Sequence, residues 1–150
     1  MNTAYEDVAF APRNYGLPEE EVEKRVEKAL RMTGIAHLKE KQIYKMSGGE
    51  KKLVSIATIL SMTPDIILMD EPSIALDPRN RRNLIHILNS FDHLKIIASH
   101  DLDLILDTCE RTVLMTNGKI IADGLTKDIL TDKMLLEENG LELPFCMQYK

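Results

Sequence analysis

Apolar residues recur along the chain at two different spacings, one typical of helices and one of buried strands. Helical spacing begins after Pro18 and again after Ser47. Apolar runs of strand length cover residues 66–69 and 96–98, and turn signals bound both of them. Such runs predict buried parallel strands. Helices that alternate with strands of this kind predict an α/β fold with a parallel sheet.

Turn residues divide the rest of the chain. Pro12 and Pro18 predict the two ends of a loop that precedes the first helix. Near the other end, Asn117 and Gly118 separate two short apolar runs, and this dipeptide predicts a β-hairpin. The pattern of residues 126–139 predicts a mostly helical tail.

Composition narrows the classes of function. The chain has 150 residues and a formal net charge of −5, which disfavours binding to nucleic acid because that requires clustered Lys and Arg. Its longest purely apolar run is far shorter than the roughly 20 residues of a membrane span, so we expect no direct membrane insertion. Cys109 and Cys146 are far apart and lack metal-ligand spacing, which favours a reduced, cytoplasmic chain.

Three short segments carry polar groups at positions where α/β proteins bind ligands. Asp70 and Glu71 end the first strand, and carboxylates at the carboxyl edge of a parallel sheet lie where such folds bind ligands. His100 follows the second strand and could donate to a phosphate. Each signal is weak alone, because a strand can end in polar residues and a lone histidine is usually an ordinary surface residue.

The third segment, residues 46–50, contains two glycines at the start of a helix. Exposed N–H groups at such a start can bind an anion. A purely structural interpretation is also open: Ser47 and Glu50 have the S-x-x-E spacing of a capping box, which would stabilise the helix without any ligand.

The order and spacing of these segments resemble the ATP-binding-cassette (ABC) ATPases. Residues 46–50 resemble the signature motif of that family, and residues 66–70 resemble Walker B. Residues 73–77 resemble the D-loop, and His100 resembles the switch histidine. The resemblance implies a P-loop NTPase-like parallel sheet flanked by helices, with part of the helical signature subdomain.

The same resemblance implies roles for individual residues. Glu71 would be the catalytic carboxylate and His100 a contact of the γ-phosphate, while Asp70 would hold Mg²⁺. The residues that would bind ATP are Ser47, Gly48, Gly49, Glu50 and Asp77. Glu50 replaces the usual Gln of the signature, and a carboxylate there would repel phosphate unless the capping box holds it back.

The largest departure from the family is the missing phosphate-binding loop. No G-x-x-x-x-G-K-S/T motif occurs. At the Gly118–Lys119 pair, Val113 stands where the motif needs its first Gly, and Ile120 stands where it needs Ser or Thr. We therefore expect a C-terminal part of an ABC ATPase, truncated at the N-terminus and inactive alone. Loss of the P-loop strand would leave unpaired sheet edges, which predicts a marginal or oligomeric polypeptide.

Softer likenesses point to energy-coupling-factor and cobalt/nickel importers. They lie at residues 5–12, 17–22 and 135–144. They imply a second ABC ATPase subunit and a membrane coupling subunit as partners, at the inner face of the membrane, with cobalt, nickel or a vitamin as cargo. A soluble chromosome-maintenance ATPase and a non-catalytic remnant remain alternatives.

The resemblance also suggests how the chain is divided. Residues 1–62 would form the helical subdomain and signature helix. Residues 63–125 would form the core from Walker B to the switch histidine, and residues 126–150 a helical tail.

Overall fold

The computed structural model describes residues 3–148, and it alternates helices with strands as the sequence predicts. The helices are α1 Ala4–Asn14, α2 Glu19–Met32, α3 Gly48–Ser61, α4 Pro78–Ser90, α5 Leu102–Thr108, α6 Thr126–Thr131, α7 Lys133–Glu138 and α8 Phe145–Gln148. The strands are β1 Ile66–Asp70, β2 Leu94–Ala98, β3 Arg111–Thr116 and β4 Lys119–Leu125. Short 3₁₀ turns lie at Ala36–Leu38 and Ile43–Lys45.

The chain separates into two compact units, of which the first comprises residues up to 67 together with 74–96. Helices α1, α2 and α3 pack against one another, and α4 packs on α3. Helix α2 begins after Pro18 with three glutamates in its first turn, where the helix dipole favours negative charge. Gly34 follows it with φ +69°, the left-handed conformation expected just after a helix.

The loop predicted between Pro12 and Pro18 is wrong at its beginning, because Pro12 lies inside α1. A proline inside a helix leaves the carbonyl four residues earlier without its N–H donor. That carbonyl belongs to Val8, and the buried hydroxyl of Ser61 in α3 donates to it over 3.1 Å. A contact between two helices thus replaces the missing bond, and local sequence rules give no sign of it.

Strands β1 and β2 are neighbours in one two-stranded sheet, as predicted. Two backbone hydrogen bonds show that they run in the same direction. Leu94 N–H donates to the Asp65 carbonyl at the beginnings of the strands, over 3.2 Å. At their ends, Glu71 N–H donates to the Ala98 carbonyl over 2.8 Å. The carboxyl ends of both strands therefore lie at the same edge.

The prediction that both strands are buried is wrong for one face of the sheet. Ile67 is buried, whereas Leu68 is 71% exposed. The exposed apolar face consists of Ile66, Leu68, Leu94 and Ile96. Successive strand residues point to opposite faces of the sheet. Within residues 3–148, other elements pack against only one of these two faces. A strand made only of apolar residues predicts that both faces of the sheet are packed against other elements.

The second unit comprises residues 68–73 and the part of the chain from residue 97 onward. Its core contains Ile105, Leu114, Ile129, Leu130 and Leu136. Strands β3 and β4 form the predicted antiparallel hairpin, with Asn117 and Gly118 both at positive φ in the turn. The predicted helical tail is interrupted at Asp132, which ends α6 and caps α7.

Candidate functional site

Glu71 follows the last residue of β1, at the edge where both parallel strands end. Its backbone is left-handed, with φ +44°, a conformation that non-glycine residues seldom adopt. The hydrogen bond from its N–H to the Ala98 carbonyl holds this backbone in place. Unusual backbone conformations of this kind concentrate at functional sites.

Both oxygens of the Glu71 carboxylate accept hydrogen bonds from the segment that follows β2. The Ser99 hydroxyl donates to Oε2 over 2.9 Å, and the backbone N–H of His100 donates to Oε1 over 2.9 Å. The imidazole Nε2 of His100 lies 3.7 Å from Oε1, and this side chain is 90% exposed. The structure therefore brings together Glu71 and His100, as predicted, and fixes the orientation of the carboxylate.

The segment at residues 46–50 forms the predicted capping box at the start of α3. The Ser47 hydroxyl accepts from the Glu50 backbone N–H over 3.2 Å. In return, the Ser47 backbone N–H donates to Oε2 of Glu50 over 2.7 Å. The structural interpretation of S-x-x-E is thus confirmed, and it leaves the N–H groups of Gly48 and Gly49 at the helix start.

Glu50 has a second partner, which no sequence pattern predicted. The ammonium group of Lys41 donates to both carboxylate oxygens, over 2.8 and 2.9 Å. The hydrogen bond from Lys41, joined by that from the Ser47 N–H, holds the pKa of the Glu50 carboxyl below its usual range. The carboxylate that would repel phosphate is therefore both held back and paired with a cation.

The two glycines of this segment have different surroundings. A Cβ at Gly48 would meet no atom within 4 Å, so the space beside it is open. A Cβ at Gly49 would lie 2.7 Å from the amide nitrogen of Asn80. That nitrogen donates to Asp77, which caps α4 by accepting from the Asn80 backbone N–H. Asn80 thereby brings Asp77 to the signature segment within the first unit.

Asp70 ends β1, and its side chain is exposed. Among residues 3–148, no group of three or more His, Cys, Asp or Glu side chains is arranged to hold a metal ion. Mg²⁺ does not require such a group, because it commonly binds one or two carboxylates together with water and substrate phosphates. An exposed carboxylate beside Glu71 fits that coordination.

Sequence reasoning identified both clusters but not every member. Ser99 could have been found from its place directly before His100. Lys41 and Asn80 could not, because they lie nine and thirty-one residues from their partners, Glu50 and Gly49. The signature segment belongs to the first unit, and the Glu71–His100 cluster belongs to the second.

Known proteins resemble this chain along nearly its whole length. The family model described as ABC transporter matches residues 2–74. A curated ABC transporter ATP-binding protein of Geobacter sulfurreducens is 51% identical over 99% of this chain and 59% of its own length. The energy-coupling factor transporter ATP-binding protein EcfA of Carboxydothermus hydrogenoformans is 39% identical, over 98% of this chain and 55% of its own.

A solved structure gives the same result for the fold. CbiO1 of Clostridium perfringens, described as part of the ABC transporter complex CbiONQ, superposes with a TM-score of 0.79 at 36% identity. The match covers 91% of this chain and 56% of that protein. The chain therefore spans somewhat more than half the length of these relatives. Within residues 3–148, no helix combines the length and the apolar character needed to cross a membrane.

Proposed function

This chain belongs to the ABC transporter ATPase family, and on that premise we propose that it forms part of the ATP-hydrolysing subunit of an importer. The observation that carries the proposal is the Glu71 carboxylate, held by Ser99 and by the His100 N–H at the carboxyl edge of parallel strands. A carboxylate fixed in this way can accept a proton from an attacking water.

In the proposed reaction, Glu71 and His100 divide two tasks. Each oxygen of Glu71 accepts one hydrogen bond from the protein, and each keeps a further lone pair that can accept a proton from water. The exposed imidazole of His100 is available to donate to a phosphate oxygen. Asp70 would hold Mg²⁺, which neutralises phosphate charge when bound.

The signature segment has a separate task. Ser47, Gly48 and Gly49 would bind the γ-phosphate of a nucleotide held by a second ATPase subunit, with Glu50 and Asp77 shaping the segment. Open space beside Gly48 and the N–H groups at the start of α3 support this role. Because the sequence has no P-loop motif, the remaining phosphate contacts would have to come from another polypeptide segment.

The cargo and the membrane partner are finer proposals. The names of two relatives, EcfA and a component of the CbiONQ complex, support an energy-coupling-factor type transporter. Cobalt, nickel or a vitamin as its cargo rests on the sequence resemblance alone. A membrane coupling subunit would dock on the helical unit, at the inner face of the membrane. The strongly exposed rings of Phe10 and Tyr15 support docking there, because buried aromatic side chains anchor many interfaces.

Binding without turnover is a second candidate function. The open space beside Gly48 favours it, because the signature segment could complete a partner's site whether or not this chain itself turns over ATP. Phosphate release by this chain joined to a P-loop segment separates the two ideas, because only the catalytic proposal expects it. Phosphate release by the chain alone tests whether an external P-loop is needed. We expect none above background, and measurable turnover would refute the need for an external P-loop.

The catalytic proposal is tested in a chimera that joins an upstream segment carrying a P-loop to this chain. We expect the chimera to hydrolyse ATP, and Glu71→Gln to slow turnover by about 10²–10⁴-fold while nucleotide binding persists. The control is Glu110→Gln, an exposed glutamate outside both clusters. Equal turnover of the Glu71→Gln variant and its parent would show that Glu71 is not the base.

A further inference from the structure

Lys41 forms an ion pair with Glu50, which belongs to the proposed phosphate-binding segment at residues 46–50. It lies 34% exposed, and its partner Glu50 is 25% exposed, so neither is fully surrounded by water. Both backbone polar groups of Lys41 form hydrogen bonds. Its N–H donates to the Leu38 carbonyl, and its carbonyl accepts from the Ala4 N–H at the start of α1. The ammonium group is therefore delivered to Glu50 by a fixed stretch of chain.

Glu50 occupies the third position of α3, one residue after Gly49. An unpaired carboxylate there would oppose any anion that approaches the first N–H groups of the helix, since like charges repel most strongly outside bulk water. Lys41 cancels that charge, and its two hydrogen bonds turn the carboxylate toward the lysine. The Ser47 N–H holds the same carboxylate from the other side.

We propose that Lys41 is a positioning residue of the signature segment, which neutralises Glu50 and holds it in the capping box with the Ser47 N–H, so that the amides of Gly48 and Gly49 can receive a phosphate. The inference rests on the proposed function, because it assumes that this segment binds nucleotide phosphate. It assigns to Lys41 the task of making an acidic signature segment compatible with an anionic ligand.

The test is a titration of the whole chain with inorganic pyrophosphate at constant ionic strength, followed by the amide NMR signals of Ser47, Gly48 and Gly49. Lys41→Met keeps the length of the side chain and removes its charge. We expect this variant to bind about three- to tenfold more weakly than the parent. The additional substitution Glu50→Gln should restore parental affinity, because it removes the unpaired charge and keeps an oxygen acceptor for the Ser47 N–H.

Lys39→Met is the matched control. Lys39 lies two residues away and pairs with Glu27 and the ring of Tyr5, not with Glu50. It should therefore leave the affinity unchanged although the net charge changes equally. The same titration with ATP in place of pyrophosphate should rank the variants in the same order.

The outcomes separate the inference from the proposed function. Binding by the parent with no loss in Lys41→Met, or a loss that Glu50→Gln does not restore, overturns the role of Lys41 and leaves the proposed function standing. Equal losses of affinity in Lys41→Met and Lys39→Met would show that the effect comes from net charge alone. That result would also overturn the role of Lys41. If the parent shows no response at these amides, both the proposed role of the segment and the inference fall.

Discussion

The Ser61 hydroxyl donates to the Val8 carbonyl, the group that Pro12 leaves without a donor inside α1. Ser61 is fully buried, and its one hydroxyl proton is shared between the Val8 carbonyl and the Thr58 carbonyl of its own helix, which accepts over 2.8 Å. A buried carbonyl without a partner is costly. This single side chain therefore allows a proline to stand inside a packed helix.

Ser61→Ala should lower the free energy of unfolding by about 1–3 kcal/mol, because it leaves the Val8 carbonyl buried and unpaired. The loss should shrink in a Pro12→Ala background, where the new N–H of residue 12 can bond Val8. Chemical denaturation measures both values. Ser55→Ala, on the exposed side of α3, is the control. An equal loss in both backgrounds would contradict the proposed link between Ser61 and Pro12.

The two signature glycines should respond differently to alanine. Gly48→Ala meets open space and should leave stability unchanged or raise it by up to about 1 kcal/mol, since alanine favours helix. Gly49→Ala would push against Asn80 and should destabilise the chain. Thermal melts of both variants check this, and Asn80→Ala should relieve the Gly49→Ala defect. Equal melting temperatures for the two alanine variants would refute the contact.

Glu50 should contribute to a loss of stability in acid. Its folded pKa is lowered, chiefly by the hydrogen bond from Lys41. The stability that this confers is therefore complete above the unfolded pKa of about 4.3 and is lost as the pH falls through the lower, folded value. Unfolding curves of parent and Glu50→Gln should converge as the pH falls below that range. A stability gap that is independent of pH would contradict the assignment.

The exposed face of the β1–β2 sheet should make the isolated chain self-associate. Apolar strands with uncovered faces and edges promote pairing with other chains. Leu68→Thr and Ile96→Thr should each reduce the associated fraction in sedimentation velocity runs. Ile59→Thr, an exposed apolar position on α3, should change it little. A parent chain that sediments as a stable monomer with a sharp cooperative melt would refute the expectation.

Local rules predicted those parts of the fold that depend on neighbours in sequence. The capping box at Ser47 and the turn at Asn117 are set within four residues, and the pattern revealed both. The course of α1 depends on Ser61, more than fifty residues away, so Pro12 gave a false helix end. The burial of β1 depends on which elements pack against each face of the sheet. A run of apolar residues does not reveal that only one of the two faces is buried.

The candidate site follows the same division. The adjacency of Glu71 and His100 could be predicted, because the ends of neighbouring parallel strands meet at one edge. The neutralisation of Glu50 could not, because nothing in the sequence near residue 41 marks Lys41 as its partner.

The left-handed backbone of Glu71 restricts which amino acids can replace it before any chemistry is considered. At φ +44°, a side chain branched at Cβ crowds the backbone, so Val, Ile and Thr are disfavoured on steric grounds, although Thr63 adopts a similar φ of +49°. Asn, Asp and Gly tolerate this region best. In a library of variants at position 71, loss of function would have two causes, strain in the backbone and loss of the carboxylate. Only unbranched polar replacements can separate these two causes.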